Sequence, residues 1–286
     1  MTMEKDIKLI VTDIDGTLLG DDWKVPQMNI DAIQAAKNMG VKVCACTARN
    51  WPQSVDILQQ AGLVDYCMLC NGVVILDASN QEIQYRNRIA PVHVEPLMKI
   101  AMEFGAWIGV TGTFHSYNWP GAMRGEWRHH AEEEGKPVPT FVKRMRESMV
   151  LADTYEEWVE NCKNDCNYIS VGVGYDQHVP LYAAISEIGN FELSAADDDH
   201  VYIMAKDATK GLAVEILANL YGFAQENVLA FGDNKNDASM LSWAGIGVAM
   251  GNGNEQAKSA ADYVTVSNTE GGVGREIMRL VVNKRR

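Results

Sequence analysis

The sequence predicts an α/β fold: a doubly wound parallel sheet with a second α/β module inserted into it. Three observations predict it. Over residues 7–72, short β-branched apolar runs alternate with amphipathic helical segments, the order that gives parallel strands with right-handed crossovers. The same alternation resumes after residue 200 and runs to the end. Between them, residues 84–199 mix helices and strands in a different order. The expected organisation is a core over residues 1–83 and 200–286 and an inserted α/β domain over residues 84–199.

The first strand is the run over residues 7–12, apolar and β-branched as a buried parallel strand should be. It stops at Asp13 and Asp15, with Gly16 behind them. Both acids therefore stand at a strand's carboxyl end, where open α/β sheets bind ligands. Asp and Gly are also ordinary turn residues, and this pair alone does not separate the two readings. An EF-hand is excluded because its remaining ligands do not follow.

A helix follows over 26–40, with Ile30, Ile33 and Ala36 on one face and Gly40 at its end. The strand over 41–46 ends at Thr47, Ala48 and Arg49, and a helix opens near Trp51 and Pro52 and closes at Gly62. The strand over 66–70 ends at Asn71 and Gly72, and 73–77 with 82–86 alternate as a hairpin turning at Ser79 and Asn80. Within the insertion, helices are expected over 94–104, 155–163 and 179–188, and strands over 107–111, 168–172 and 191–195. After a strand over 201–205, Thr209, Lys210 and Gly211 open a helix with Leu212, Ile216 and Leu220 in register. The strand over 228–231 ends at Gly232-Asp233-Asn234-Lys235-Asn236-Asp237. A helix to 244, a strand over 246–250, a helix over 255–261, a strand over 263–266 and a helix over 273–281 complete the layer.

Composition narrows the partners. With 286 residues and 47% hydrophobic content, the chain can build one large core or two of ordinary size. Residues 1–8 are charged, and no apolar run is long enough for a signal peptide or a membrane span. The expectation is a cytoplasmic protein with no membrane partner, and a monomer is compatible with everything in the sequence. A net charge of −13 argues against a nucleic-acid partner. It would also repel a phosphorylated metabolite unless local cations or a metal reverse the field at the site. Cys67 and Cys70 form a C-x-x-C that could suggest zinc or a redox pair. On a strand, however, residues three apart point to opposite faces, so buried reduced thiols are expected. Cys162 and Cys166 read as incidental to the end of a helix.

Asp13 and Asp15, Thr47, Lys210, and Asp233, Asn236 and Asp237 all stand at strand or helix ends, and a parallel sheet brings such ends to one rim. Singly, each has a plainer reading: an N-cap for Thr47, a solvated lysine, a turn. Together, D-I-D-G-T-L, T-A-R, T-K-G and G-D-N-K-N-D resemble, in order and context, the four motifs of the haloacid dehalogenase superfamily. The place and α/β character of the insertion resemble the Cof-type phosphatase branch, whose cap is of type IIB. Gly247-Val248-Ala249-Met250-Gly251-Asn252-Gly253, Ala261-Asp262-Tyr263-Val264 and Gly271-Gly272-Val273 resemble it too.

The resemblance implies a Rossmann-like core and a Mg2+-dependent phosphatase acting on a small phosphorylated metabolite. Sugar phosphates are the default, with pyridoxal phosphate and FMN open. It implies Asp13 as nucleophile and Asp15 as general acid and base, two carboxylates whose roles differ because their surroundings do. Mg2+ would be held by the Asp13 and Asp233 side chains and the Asp15 main-chain carbonyl, with Asp237 orienting these ligands. Lys210, Thr47, the Ala48 N–H and Asn236 would hold the phosphoryl oxygens. Two features depart from the pattern: Ala48 stands where the family usually has glycine, and Gly251-Asn252-Gly253 replaces its commoner N-A. A phosphomutase of the phosphomannomutase type is the alternative of another reaction class, and a sugar-phosphate-binding sensor is the non-enzymatic one.

The core motifs would bind only what every substrate shares, so discrimination is expected in the insertion. Residues 117–139 carry Trp119, Arg124, Trp127, Arg128, His129 and His130. Arg124 and Arg128 would share one face of a helix. Arg124, Trp127 and Arg128 are the expected specificity residues, against the reading that they belong to a partly exposed helix with its own packing.

Overall fold

The computed structural model describes residues 6–123, 138–197 and 200–285. They form two compact units: residues 1–48, 55–85 and 209–286 make up the core unit, and residues 49–54 and 86–208 the inserted unit.

Strands are numbered along the chain. β1 (Leu9–Thr12), β2 (Lys42–Cys46), β3 (Tyr66–Leu69), β4 (Val74–Asp77) and β5 (Ile83–Arg86) precede the insertion. The insertion holds β6 (Trp107–Thr111), β7 (Ser116–Asn118), β8 (Met149–Leu151), β9 (Tyr168–Gly172), β10 (Phe191–Asp197) and β11 (His200–Ala205). β12 (Val228–Gly232), β13 (Ile246–Ala249) and β14 (Tyr263–Val264) return to the core.

The core sheet runs β14-β13-β12-β1-β2-β3-β4-β5. From β14 to β3 neighbouring strands are parallel, and β4 pairs antiparallel with β3. β1 lies between β2 and β12, and all four of its residues are buried. That explains why Leu9, Ile10 and Val11 form an unbroken apolar run rather than an alternating one. Leu9 and Val11 pack with Cys44, Met68 and Ala230 against Val214 and Leu217 of the helix Lys210–Tyr221. Each such aliphatic side chain contributes about 1.5–3 kcal/mol when fully buried.

Two helix faces differ from the sequence reading. Leu220 of the helix Lys210–Tyr221 is exposed, and its buried stripe is Lys210, Gly211, Ala213, Val214, Leu217 and Ala218. Lys210 and Gly211 point inward at the helix start, and this sets the phase of the turns that follow. In the helix Gln27–Asn38, Ile33 and Ala36 are buried as expected, but Asn29 is buried and Ile30 only partly so. Asn29 Nδ2 donates to the Leu18 carbonyl at 3.1 Å, and its Oδ1 accepts from Gly274 N–H at 2.8 Å. A polar residue on an apolar stripe is thus a tie between the first turn and the C-terminal helical segment.

The sheet of the inserted unit runs β10-β11-β9-β6-β7-β8. Its pairs are antiparallel except β7 with β8. β7, β8 and the helix Thr140–Glu147 were not foreseen; the strands are three residues each, too short for an alternation to register. Trp158 is fully buried, and its indole N–H donates to the Tyr117 carbonyl at 3.0 Å. All six cysteines are free and buried. Burial pushes the Cys44 thiol up to about 12 and raises Cys67 as well, which leaves thiols rather than reactive thiolates. Cys162 and Cys166 are not incidental: both lie in the hydrophobic core of the inserted unit. No described helix is long and apolar enough to cross a membrane.

Asn29→Ala should lower the stability of the core unit by about 2–4 kcal/mol, because it strands one buried carbonyl and one buried N–H. Urea denaturation measures it; a midpoint unchanged from wild type would show that the tie is not structural.

Candidate active site

β1 ends at Thr12 and the chain turns at once. Asp13 has φ −66 and ψ 166, and Gly16 takes φ 72, in the left-handed region. A Cβ at position 16 would lie 2.4 Å from Asp233 Oδ2, so glycine is required on both counts. β12, the neighbour of β1, ends at Gly232 and delivers Asp233 to the same rim. Thr17 Oγ1 donates to Asp233 Oδ1 at 2.7 Å.

The loop after β12 closes on Asp237. The main-chain N–H groups of Asp233 and Asn234 both donate to Asp237 Oδ2, each at 2.9 Å. Its Oδ1 accepts from Lys210 Nζ at 2.6 Å. Lys210 is the first residue of its helix, whose N-cap Thr209 accepts from Leu212 N–H. From there Nζ also donates to Asp13 Oδ1 at 2.7 Å. The lysine side chain is 1% exposed, that of Asp13 9% and that of Asp237 0%.

Carboxylate oxygens of Asp13, Asp233 and Asp237 lie within 4.8 Å of one another. Burial drives the Asp13 carboxyl well above the usual carboxylate range; Lys210 opposes this, and Asp237, Asp233 and Asp15 add to it. Burial likewise pushes Asp233 up to about 6, against the Thr17 hydrogen bond and with Asp237 adding to it. For Lys210, burial works to lower the pKa, but the Asp13 and Asp237 charges outweigh it and hold the ammonium charged. The cluster therefore carries more negative charge than its lysine balances. With both Asp237 oxygens accepting from Lys210 and main-chain N–H groups, Asp13 and Asp233 are the carboxylates that can face a cation. Oxygen donors and surplus negative charge fit a hard divalent ion.

The other expected residues gather at the same rim in part. Thr47 is fully buried at the end of β2, and its carbonyl accepts from Asn71 N–H at 2.8 Å. Ala48 follows it, half-buried. Asn236 Nδ2 donates to Asn71 Oδ1 at 2.9 Å. The Asp15 side chain is half-buried and outside the three-acid cluster. Arg124, Trp127 and Arg128 lie outside the described residues.

Sequence reasoning assigned no role to Thr17 or Asn71, and read Gly16 only as part of a turn. Asn71 joins the Thr47 main chain to the Asn236 side chain, is 2% exposed, and sits at φ 60, ψ 29. Its Nδ2 is buried and has no partner among the described residues. Its signal was available: it follows β3 directly, as Thr47 follows β2 and Asp13 follows β1.

A parallel sheet that collects buried acids and one buried lysine at its carboxyl rim defines an α/β enzyme. Over residues 10–277 the chain matches the haloacid dehalogenase-like hydrolases, and it belongs to that family. It is 27% identical over 281 residues to the 5-amino-6-(5-phospho-D-ribitylamino)uracil phosphatase YcsE of Bacillus subtilis (strain 168), with 97% of each chain covered. A haloacid dehalogenase-like hydrolase from B. subtilis superposes with a TM-score of 0.81 at 24% identity, covering 96% of this chain and 100% of that one. The subclass IIB sugar phosphatase BT4131 superposes with a TM-score of 0.75 at 23% identity, covering 96% and 99%. Within the family the protein is a phosphatase, an enzyme that hydrolyses phosphoric monoesters.

Lys210→Met should destabilise the core unit by about 3–5 kcal/mol, because it leaves two buried carboxylates without their cation. Urea unfolding at neutral pH reads this. A loss below about 1 kcal/mol would show that the ion pairs are not buried as described.

Proposed function

We propose that the protein hydrolyses a small phosphomonoester of the sugar-phosphate type, in the cytoplasm and with Mg2+, by passing the phosphoryl group first to Asp13 and then to water. The observation that carries this reading is the buried Lys210 Nζ held 2.7 Å from Asp13 Oδ1 at the carboxyl end of β1. A protein that only bound a phosphate dianion would gain nothing from three clustered carboxylates, which repel it. A carboxylate kept there is explained if it attacks phosphorus.

An Asp13 oxygen would form a bond to phosphorus while the bond to the ester oxygen breaks, and the Asp15 carboxyl would give its proton to that oxygen. Water would then attack the phosphorus of the aspartyl-phosphate as Asp15 takes the water's proton. The bond to Asp13 breaks, orthophosphate leaves, and both acids return to their starting state. Asp13, Asp233 and the Asp15 carbonyl would hold Mg2+, and Asp237 would orient Lys210 and the Asp233 loop. Bound there, the ion supplies positive charge against the phosphoryl oxygens. Lys210, Thr47, the Ala48 N–H and Asn236 would donate to those oxygens. Asn71, with an unpartnered buried amide beside Asn236, would add a further donor.

Phosphate release from a panel of monoesters should require Mg2+ and stop in EDTA. It should also be lost in Asp13→Asn, which keeps the shape but not the nucleophile. Turnover by a metal-free enzyme or by pure Asp13→Asn protein would overturn this account, as would isomerised hexose phosphate formed without net phosphate release.

Lys210→Ala should lower kcat/KM more than Thr47→Ala, by roughly tenfold, since charged hydrogen bonds contribute about 1.5–3 kcal/mol against about 1 for neutral ones. Steady-state kinetics at a temperature where both variants stay folded gives the comparison. The reverse order would show that the two contacts are ranked wrongly.

A further inference from the structure

The inserted sheet has two unlike faces. On one, Val110, Ile169, Val171 and Ile203 pack against Leu97, Trp158 and Leu181 of its helices. The strand register sets the other face out in rows. His200, Gly172 and Trp107 lie side by side. Tyr202, Ser170 and Gly109 form the next row, and Met204, Tyr168, Thr111 and Ser116 the third.

Two small residues, Ser170 and Gly109, thus lie between a row bearing Trp107 and His200 and a row bearing Tyr168. The result is a hollow with aromatic walls, a cavity of about 230 Å³. Met123, Met145 and Met149 also line it. Gly109 keeps its floor open: a Cβ there would come 3.3 Å from Trp107 Cη2 and 3.4 Å from Asn118 Oδ1.

Three of the polar residues that line this cavity, Thr111, Asn118 and Ser170, are mostly buried. Thr111 is 8% exposed, Asn118 6% and Ser170 8%, and none makes a side-chain hydrogen bond to another described residue. Their polar atoms still reach solvent, since among the described residues only Asn71 Nδ2, Tyr155 Oη and His178 Nε2 are buried without a partner, so the polar edge of a ligand can replace water there. No Asp, Glu, Lys or Arg is among the described residues that line the cavity, so none of these would offset a charged ligand.

We propose that the inserted unit carries a binding site for an uncharged planar heteroaromatic ring with a hydrogen-bonding edge. Aromatic faces and thioethers suit a flat apolar surface. The Asn118 carboxamide both donates and accepts, and the two hydroxyls can do either, which suits a ring edge of alternating donors and acceptors. A bare polyol would present hydroxyls on every side to walls that are mostly apolar. That the ring belongs to the substrate rests on the phosphatase reading above and narrows its sugar phosphate to one that also carries such a ring, the ring rather than the sugar being what this cavity holds; the binding itself does not rest on that reading.

The test titrates uridine, riboflavin and methyl glucoside into the full-length protein in EDTA, read by calorimetry and saturation-transfer NMR. Uridine or riboflavin should bind in the millimolar range or tighter, and methyl glucoside should not. Ser170→Leu, which fills the hollow, and Thr111→Val, which removes a hydroxyl at constant shape, should weaken that binding, the first by roughly tenfold or more. Circular dichroism and the melting temperature establish that each variant is folded, and should Ser170→Leu not fold, Thr111→Val alone decides. The proposal is overturned if neither planar probe binds, if methyl glucoside binds in preference, or if planar binding survives in the folded variants unchanged. Phosphate release by the wild-type protein with Mg2+ is scored separately. Its absence sinks the phosphatase reading and leaves the ring site standing, whereas a negative titration does the reverse.

Discussion

The site depends on a buried ammonium shared by two buried carboxylates. Lys210 reaches Asp13 across 197 positions of sequence and Asp237 across 27. Asp13 follows the first strand of the core, before the insertion; Lys210 and Asp237 follow the insertion. The ion pairs can therefore form only when both parts of the discontinuous core have folded together. Removing three such charges from water is expensive, and direct hydrogen bonds with full pairing are what make the arrangement tolerable. The main-chain N–H groups on Asp237 and the Thr17 hydroxyl on Asp233 complete that pairing. What stays unbalanced is negative charge, and this is the physical ground for a cation there. The same surplus on an acidic chain means that recognition of a phosphate dianion has to be local.

Much of this could be read from sequence because the rim of a parallel sheet is a simple geometric device. Once the runs before Asp13, Thr47 and Asp233 are read as buried strands, their polar ends have to converge. Lys210 was harder, since helix starts carry solvated lysines as readily as buried ones. The stripe Leu212, Ile216, Leu220 was chosen on hydrophobicity alone and runs along the edge of the buried face: Ile216 packs against the core, Leu212 is half-buried and Leu220 is exposed. Where an inward lysine and glycine fix the phase, small residues such as Ala213 and Ala218 form the contact instead. Asn29 and Asn71 escaped for a related reason: a buried asparagine looks like any surface asparagine until its main-chain partners, far along the chain, are known.

The insertion was less readable. Its strand order places Tyr202, Ser170 and Gly109 in one row although they come from separate segments, and no local periodicity reveals that. β7 and β8 are too short to announce themselves, and Arg124, Trp127 and Arg128 lie outside the described residues. The contrast between the two units is chemical as well. In the core, charged groups are gathered, buried and paired. In the inserted unit, the described residues that line the cavity are neutral and in part aromatic, an environment suited to telling one uncharged group from another. Such a division would let the reacting centre stay constant while the insertion varies.

The central claim is that Asp13 becomes covalently phosphorylated. The most direct measurement is acid quenching during turnover with a monoester and Mg2+, followed by peptide mass spectrometry. The account predicts one phosphoryl adduct, on the peptide carrying Asp13, that is removed by hydroxylamine as acyl phosphates are. An enzyme that turns over while that peptide never carries phosphate at any quench time, under conditions where a reference acyl phosphate survives, would contradict it.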